Sequence, residues 1–167
     1  MSMQYPEIVA AHSRPARIGF LLSQLGTHAA ELFAEAVRGL GLTPSEAGVI
    51  RIIARAPDMT QRELADQLGA TQSRVVALVD GLERKGLAAR TRSTTDRRVQ
   101  HLDLTEAGRA LLPRLRTAAE AQEAAITDGL SPEQVEQLYA LLGDLATRRG
   151  LSPEVHAGYR NLPPQGR

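Results

Sequence analysis

From residue 17 onward, apolar residues recur at intervals of three and four. Ile18, Leu21, Leu22, Leu25, Ala29, Leu32, Phe33, Ala36, Val37 and Leu40 fall on one side of a helix, and the pattern closes at Gly39 and Gly41. This predicts a long amphipathic helix with one wide apolar stripe. Four further helix starts carry residues that satisfy first-turn N–H groups: Thr43-Pro44-Ser45-Glu46, Thr60-Gln61-Arg62-Glu63, Thr71, and Ser131-Pro132-Glu133-Gln134. The helix after Thr60 should stop near Gly69, the one after Thr71 near Gly86, and the last near Gly150. Thr105 can cap another helix from Glu106 to about Asp128. Pro113 lies inside it, where an interior proline costs about 3 kcal/mol unless the helix bends, so a bend is expected there. Residues 1–16 have no period and read as an arm, and residues 151–167, with "LPPQG" near the end, read as a weakly ordered tail.

The pattern changes from helical to alternating only once. In "VQHLDL", Leu102 and Leu104 alternate with His101 and Asp103, as in a strand with one buried side. The segment after Gly86 can pair with it, which gives a two-stranded hairpin whose tip is "STTDRR". The two short helices before it are separated only by Gly69 and Ala70. Two helices joined by a tight glycine-containing turn describe a helix-turn-helix, though structural hairpins of that size also occur. A β-hairpin appended to that unit is a wing.

The second of these helices has two unlike faces. At about 100° per residue, Val75, Leu78, Val79 and Leu82 cluster on one side, and Ser73, Ala77, Asp80 and Arg84 lie opposite, flanked by Gln72 and Arg74. Ser73 and Ala77 are short enough to let a helix approach base edges, and Gln72 and Arg74 have the donors and acceptors to read adenine or guanine. Thr71, Gln72, Ser73, Arg74, Ala77 and Arg84 are therefore the candidate DNA contacts of this helix. Asp80 speaks against close phosphate contact at its own position. At the hairpin tip, Arg97 and Arg98 suit a narrow, electronegative minor groove. Asp96 beside them can accept hydrogen bonds from Arg90, Arg92 or Arg98 and stiffen the turn.

Charge supports this placement. The 167-residue chain is near neutral at +1, yet residues 71–101 hold seven Arg or Lys against three acids, a local excess of +4. That is the footprint of a phosphate-binding patch, although a solvated charged face would give the same count. Cysteine is absent, which excludes disulfides and thiolate metal sites. No apolar run approaches the roughly 20 residues of a membrane span, and the first residues lack a signal-peptide core, so a soluble cytoplasmic protein without membrane partners is expected. His12, His28, His101 and His156 show no ligand-like spacing, and no metal or other cofactor is expected. No nucleophile elbow, phosphate-cradling loop or His-Glu metal motif appears, and an enzyme is not expected.

The order of a long helix, "LTPSEAGVIRIIA", "TQRELADQLGATQSRVVALVDGLERKGLAAR", "DRRVQHLDLTEAGR" and a final helix pair resembles the MarR family of winged-helix transcriptional regulators. Its most specific part is Asp96-x-Arg98 followed by Leu104-Thr105 and Gly108. The resemblance implies a mainly α protein: a dimerisation helix over 17–42, a winged helix-turn-helix over 43–105 and C-terminal dimerisation helices over 106–150. It further implies a homodimer that sets two recognition helices on a pseudo-palindromic site in double-stranded DNA. Arg98 is then the minor-groove arginine, Arg97 its backbone or groove partner, and Gln72, Ser73 and Arg74 the major-groove readers. Repression is the family default, commonly relieved by a small-molecule effector in a cleft beside the dimerisation helices. His28 on the first helix is the one candidate for such a ligand, and the five aromatic residues of the chain would line a pocket sparsely.

Helices of this amphipathicity at both ends exceed what a small winged core can cover. Leu130, Val135, Leu138, Leu141, Leu142 and Leu145 are the candidate dimer contacts, unless they belong to the intrachain core. The competing reading is a winged helix that binds another protein and has no specific DNA target.

Overall fold

The structure, a computed structural model, describes residues 17–92, 100–152, 155, 156, 158 and 159. The elements run α1 (Ile18–Arg38), α2 (Pro44–Arg55), β1 (Met59–Thr60), α3 (Gln61–Leu68), α4 (Gln72–Arg84), β2 (Ala88–Arg92), β3 (Gln100–Leu104), α5 (Glu106–Ala110), α6 (Leu112–Ile126) and α7 (Pro132–Arg148).

Local chemistry explains most of the starts. At α2, α3 and α7 the cap hydroxyl accepts from the third backbone N–H, and the glutamate or glutamine there reaches back to the cap residue's own N–H. The start of α4 differs from expectation. Thr71 stands at the cap position, but its hydroxyl lies 3.2 Å from the Ser73 hydroxyl and makes no cap bond. A second difference concerns Pro113. Instead of one bent helix reaching Asp128, the chain breaks at Leu111 into α5 and α6, and Pro113 falls in the first turn of α6. There its missing N–H leaves no intrahelical bond unmade, so the break removes the penalty that a bend would only reduce.

The sheet is antiparallel with order β1-β3-β2, so the expected two-stranded wing gains a third strand of two residues. Met59 pairs with Leu102 there, extending the sheet toward α2. The β2–β3 ladder runs from Ala88 opposite Leu104 to Arg92 opposite Gln100. Ile50 and Ile53 of α2, Leu64 and Leu68 of α3, Val75, Val79 and Leu82 of α4, and Leu102 of β3 are fully buried together. Gly108 of α5 closes the wing's base. A Cβ there would lie 2.0 Å from the Leu87 carbonyl oxygen, the same oxygen that accepts from the Thr105 N–H at 3.1 Å.

Within the segment from Leu151 onward, residues 151, 152, 155, 156, 158 and 159 are described. Tyr159 is buried, and its hydroxyl donates to the Ser45 carbonyl at 2.8 Å. The ring lies over Gly48, where a Cβ would come 1.8 Å from the phenolic oxygen. Val155 packs against the core. One large aromatic ring brings enough apolar area to be buried even where the sequence around it has no helical or strand period.

Candidate nucleic-acid interface

The helix-turn-helix forms as its residues require. Gly69 ends α3 in the left-handed conformation, φ 60°, which a side chain would strain, and the Ala70 N–H closes the turn on the Ala65 carbonyl at 3.1 Å. From that turn α4 buries Val75, Leu78, Val79 and Leu82 and leaves the opposite side open. Thr71, Gln72, Ser73, Asp80 and Arg84 are exposed, while Arg74 and Ala77 are half-buried at the flanks. The Arg84 Nε donates back to the Asp80 carbonyl at 3.3 Å, which lays the guanidinium along the helix.

Arg90 has a role the sequence did not suggest. Counted with the basic patch, it is instead only 17% exposed at its side chain and pairs with two carboxylates of α4. Its Nη2 lies 2.6 Å from Asp80, its Nη1 bonds Glu83, and its Nε donates to the Gln61 side chain of α3 at 2.7 Å. The Arg90 backbone N–H also donates to Glu83, at 2.9 Å. One arginine of β2 thereby ties the wing to both helices of the helix-turn-helix. It also accounts for Asp80, whose charge is matched within the protein. Asp96, for which Arg90 is one of three expected partners, lies outside the described residues.

Lys85, although exposed, is likewise paired within the protein. Its ammonium lies 2.7 Å from Glu46 and 2.8 Å from the Gly41 carbonyl. Burial would raise the Glu46 carboxyl, but the Lys85 ammonium and the Thr43 N–H and hydroxyl outweigh it and hold the group below its ordinary range. Two of the seven cations in residues 71–101 are therefore structural, while Arg84 and Arg92 are exposed. Asp96, Arg97 and Arg98 lie outside the described residues, in the stretch that connects Arg92 to its ladder partner Gln100.

Elsewhere His28 is exposed on α1, and His101 of β3 bonds the Asp58 carbonyl. Among the described residues no group of three His, Cys, Asp or Glu could hold a metal ion, and no helix is long and apolar enough to cross a membrane.

A helix-turn-helix with an exposed, short-chained second helix, followed by a hairpin fixed to it, sits between long helices at both ends of the chain. A sequence model of the MarR family matches residues 40–99, the stretch from α2 to the wing. The solved structure of the transcriptional repressor CouR bound to a 23-mer DNA duplex is 30% identical, covering 81% of this chain and 99% of that one at a TM-score of 0.69. The chain belongs to the MarR family. Two further solved structures are similar. A probable transcriptional regulator from Pseudomonas aeruginosa is 30% identical over 78% of this chain and 97% of its own, TM-score 0.67. CouR from Rhodococcus jostii RHA1 bound to p-coumaroyl-CoA is 31% identical over 78% and 92%, TM-score 0.64. As a MarR family member the protein is a transcriptional regulator with a winged-helix DNA-binding fold, not an enzyme.

Val76 escaped the sequence reading. It was assigned to neither face of α4, and it is exposed among the polar residues. Its place on the helical wheel was the available signal.

Proposed function

We propose that this regulator is a ligand-responsive repressor that binds a pseudo-palindromic operator as a homodimer, in the cytoplasm where its DNA target lies. The observation that carries the reading is the open face of α4, short and polar, held to the wing by Arg90. In this reading Gln72, Ser73, Arg74 and Ala77 meet base edges, Thr71 and Arg84 meet phosphates, and Arg97 and Arg98 reach the minor groove with Asp96 stiffening their turn. The dimer reading is supported by apolar side chains left open on both terminal helices, among them Phe20 and Leu25 of α1 and Leu141 and Leu145 of α7. A DNA-bound relative and a p-coumaroyl-CoA-bound relative support a repressor that answers to an aromatic, anionic effector, with His28 the candidate contact on α1.

The test is a gel shift on the protein's own upstream DNA at two salt concentrations. A homodimer should protect half-sites about 10 base pairs apart, centre to centre. Arg98→Ala should weaken binding and lower the salt slope by about one per lost contact in each subunit, with the melting temperature unchanged. Arg74→Ala should cost about 1–3 kcal/mol on the best operator and relax preference at one position per half-site. Combined with Asp96→Ala, the Arg98→Ala loss should be less than additive, because Asp96 acts through the arginine it aims. A protein that captures a polypeptide partner and shifts no DNA would be a winged helix used for protein recognition instead.

A further inference from the structure

Large apolar side chains that remain exposed are segregated in this molecule, with one exception. Among the described residues they lie on α1, on α7 and in the chain flanking α7, save Val76, which is 38% exposed on α4. At about 100° per residue, Val76 falls between Gln72 and Ser73 on the helical wheel and beside Asp80. That is the side opposite the buried Leu78 and Leu82.

The fold gains little from a valine there. Five residues of α4 are already buried, and a β-branched residue at an exposed helical position is less favourable than alanine. Nor is the site part of the apolar α1 and α7 surface that a second copy would cover. Its neighbours narrow the choice of what meets it. Ser73 and Ala77 are short, so a surface can come close, and Asp80, one turn onward, is held by Arg90 at 2.6 Å. An isopropyl group makes no hydrogen bond. In a major groove the one apolar group on the base edges is the C5-methyl of thymine.

We propose that Val76 is a specificity-determining residue that packs against a thymine methyl in each half-site. The proposal rests on the reading that α4 enters the major groove. Gln72, one turn before Val76, carries the amide that reads adenine, so the two side chains together favour A·T pairs at that step.

Deoxyuridine differs from thymidine in this position only by the missing methyl, which makes the test direct. A duplex is selected from a randomised pool with the full-length protein, and each thymine is then replaced in turn by deoxyuridine. The wild type should lose about three- to fivefold in affinity at one symmetric pair of positions, the equivalent of one methyl group's burial. Val76→Ala should bind the all-thymine duplex more weakly by a similar factor and be indifferent to deoxyuridine at that same pair. Its melting temperature should not fall, since the residue is exposed and alanine favours the helix. A wild type insensitive to deoxyuridine everywhere, or a variant that responds as the wild type does, overturns the assignment while leaving the groove reading standing. A selection that enriches no sequence overturns both.

Discussion

Two helices of this protein begin with the same chemistry and end in opposite environments. α2 opens on Thr43-Pro44 and α7 on Ser131-Pro132, and each closes a reciprocal cap with the residue three positions on, Glu46 or Gln134. Yet six of the twelve residues of α2 are buried and none of the seventeen of α7. α1, at the other end of the chain, buries only Val37. The difference teaches that the cap fixes where a helix starts and nothing about what covers it. α2 is surrounded by α4, α6 and the wing within one chain, whereas the apolar side chains of α1 and α7 are left largely exposed.

Breaking each region should therefore look different, and the largest effect belongs to the winged lobe. Leu82→Ala removes a fully buried side chain, and unfolding in denaturant should show a loss of about 2–5 kcal/mol at every protein concentration. If α7 joins two copies as proposed, the wild-type midpoint should rise with concentration, and Leu142→Ala should weaken that rise while leaving dilute protein almost unchanged. Equal behaviour of the two variants would dissolve the distinction.

The seam between wing and α5 comes next. Gly108→Ala places a Cβ 2.0 Å from the Leu87 carbonyl oxygen, so that backbone has to move. The expected cost is about 1–3 kcal/mol by thermal or chemical melting, with weakened operator binding because the wing's base shifts.

Tyr159 sharpens the comparison by pH. Burial pushes its phenol from 10.0 up to about 12. A group whose folded value is raised stabilises fully below its unfolded value and loses that contribution as pH rises through the folded one. Stability should fall between about pH 10 and 12, and Tyr159→Phe should flatten that part of the profile at a cost of about 1 kcal/mol near neutrality. A profile unchanged by the substitution would mean that the phenol is not buried against α2.

The smallest effect separates the two caps themselves. Glu46 is depressed below its ordinary 4.5, so its contribution is present above that value and is lost as pH falls through the folded one. Glu46→Gln should destabilise at pH 7 and converge on the wild type in acid. Gln134→Ala, on an exposed cap with no ion pair, should show a smaller loss with no such convergence.

Much of the fold was legible because the signals were local. Capping boxes, Gly69 and the three-and-four spacing act within one or two turns, and they place α1 to α4 and α7 closely. The alternation around Leu102 marked β3 for the same reason. Part of what escaped reading depended on partners distant in sequence: β1 is a strand only because Met59 meets Leu102. Two misses were local, and at one of them the Thr71 hydroxyl lies against the Ser73 hydroxyl and makes no cap bond. Pro113 was seen as an interior proline, although a break two residues earlier makes it an initial one.

The candidate interface divides in the same way. Residue type and helical wheel alone put Gln72 and Ser73 on an open face, since hydrophobic periodicity determines which side of a helix must be buried. Only the tertiary structure decided which charges point outward. Arg90 and Lys85 look like any other cations in the sequence, and they became structural because Asp80, Glu83 and Glu46 lie within hydrogen-bond reach once α2, α4 and β2 are packed. Tyr159 is the extreme case. Its own neighbourhood in the chain has no pattern, and its place follows from a gap over Gly48 that exists only when α2 is already in the core, 111 residues away in sequence. Local rules set the elements, because the backbone must satisfy its own hydrogen bonds. Burial and charge pairing, which need surfaces from distant segments, were settled by the fold.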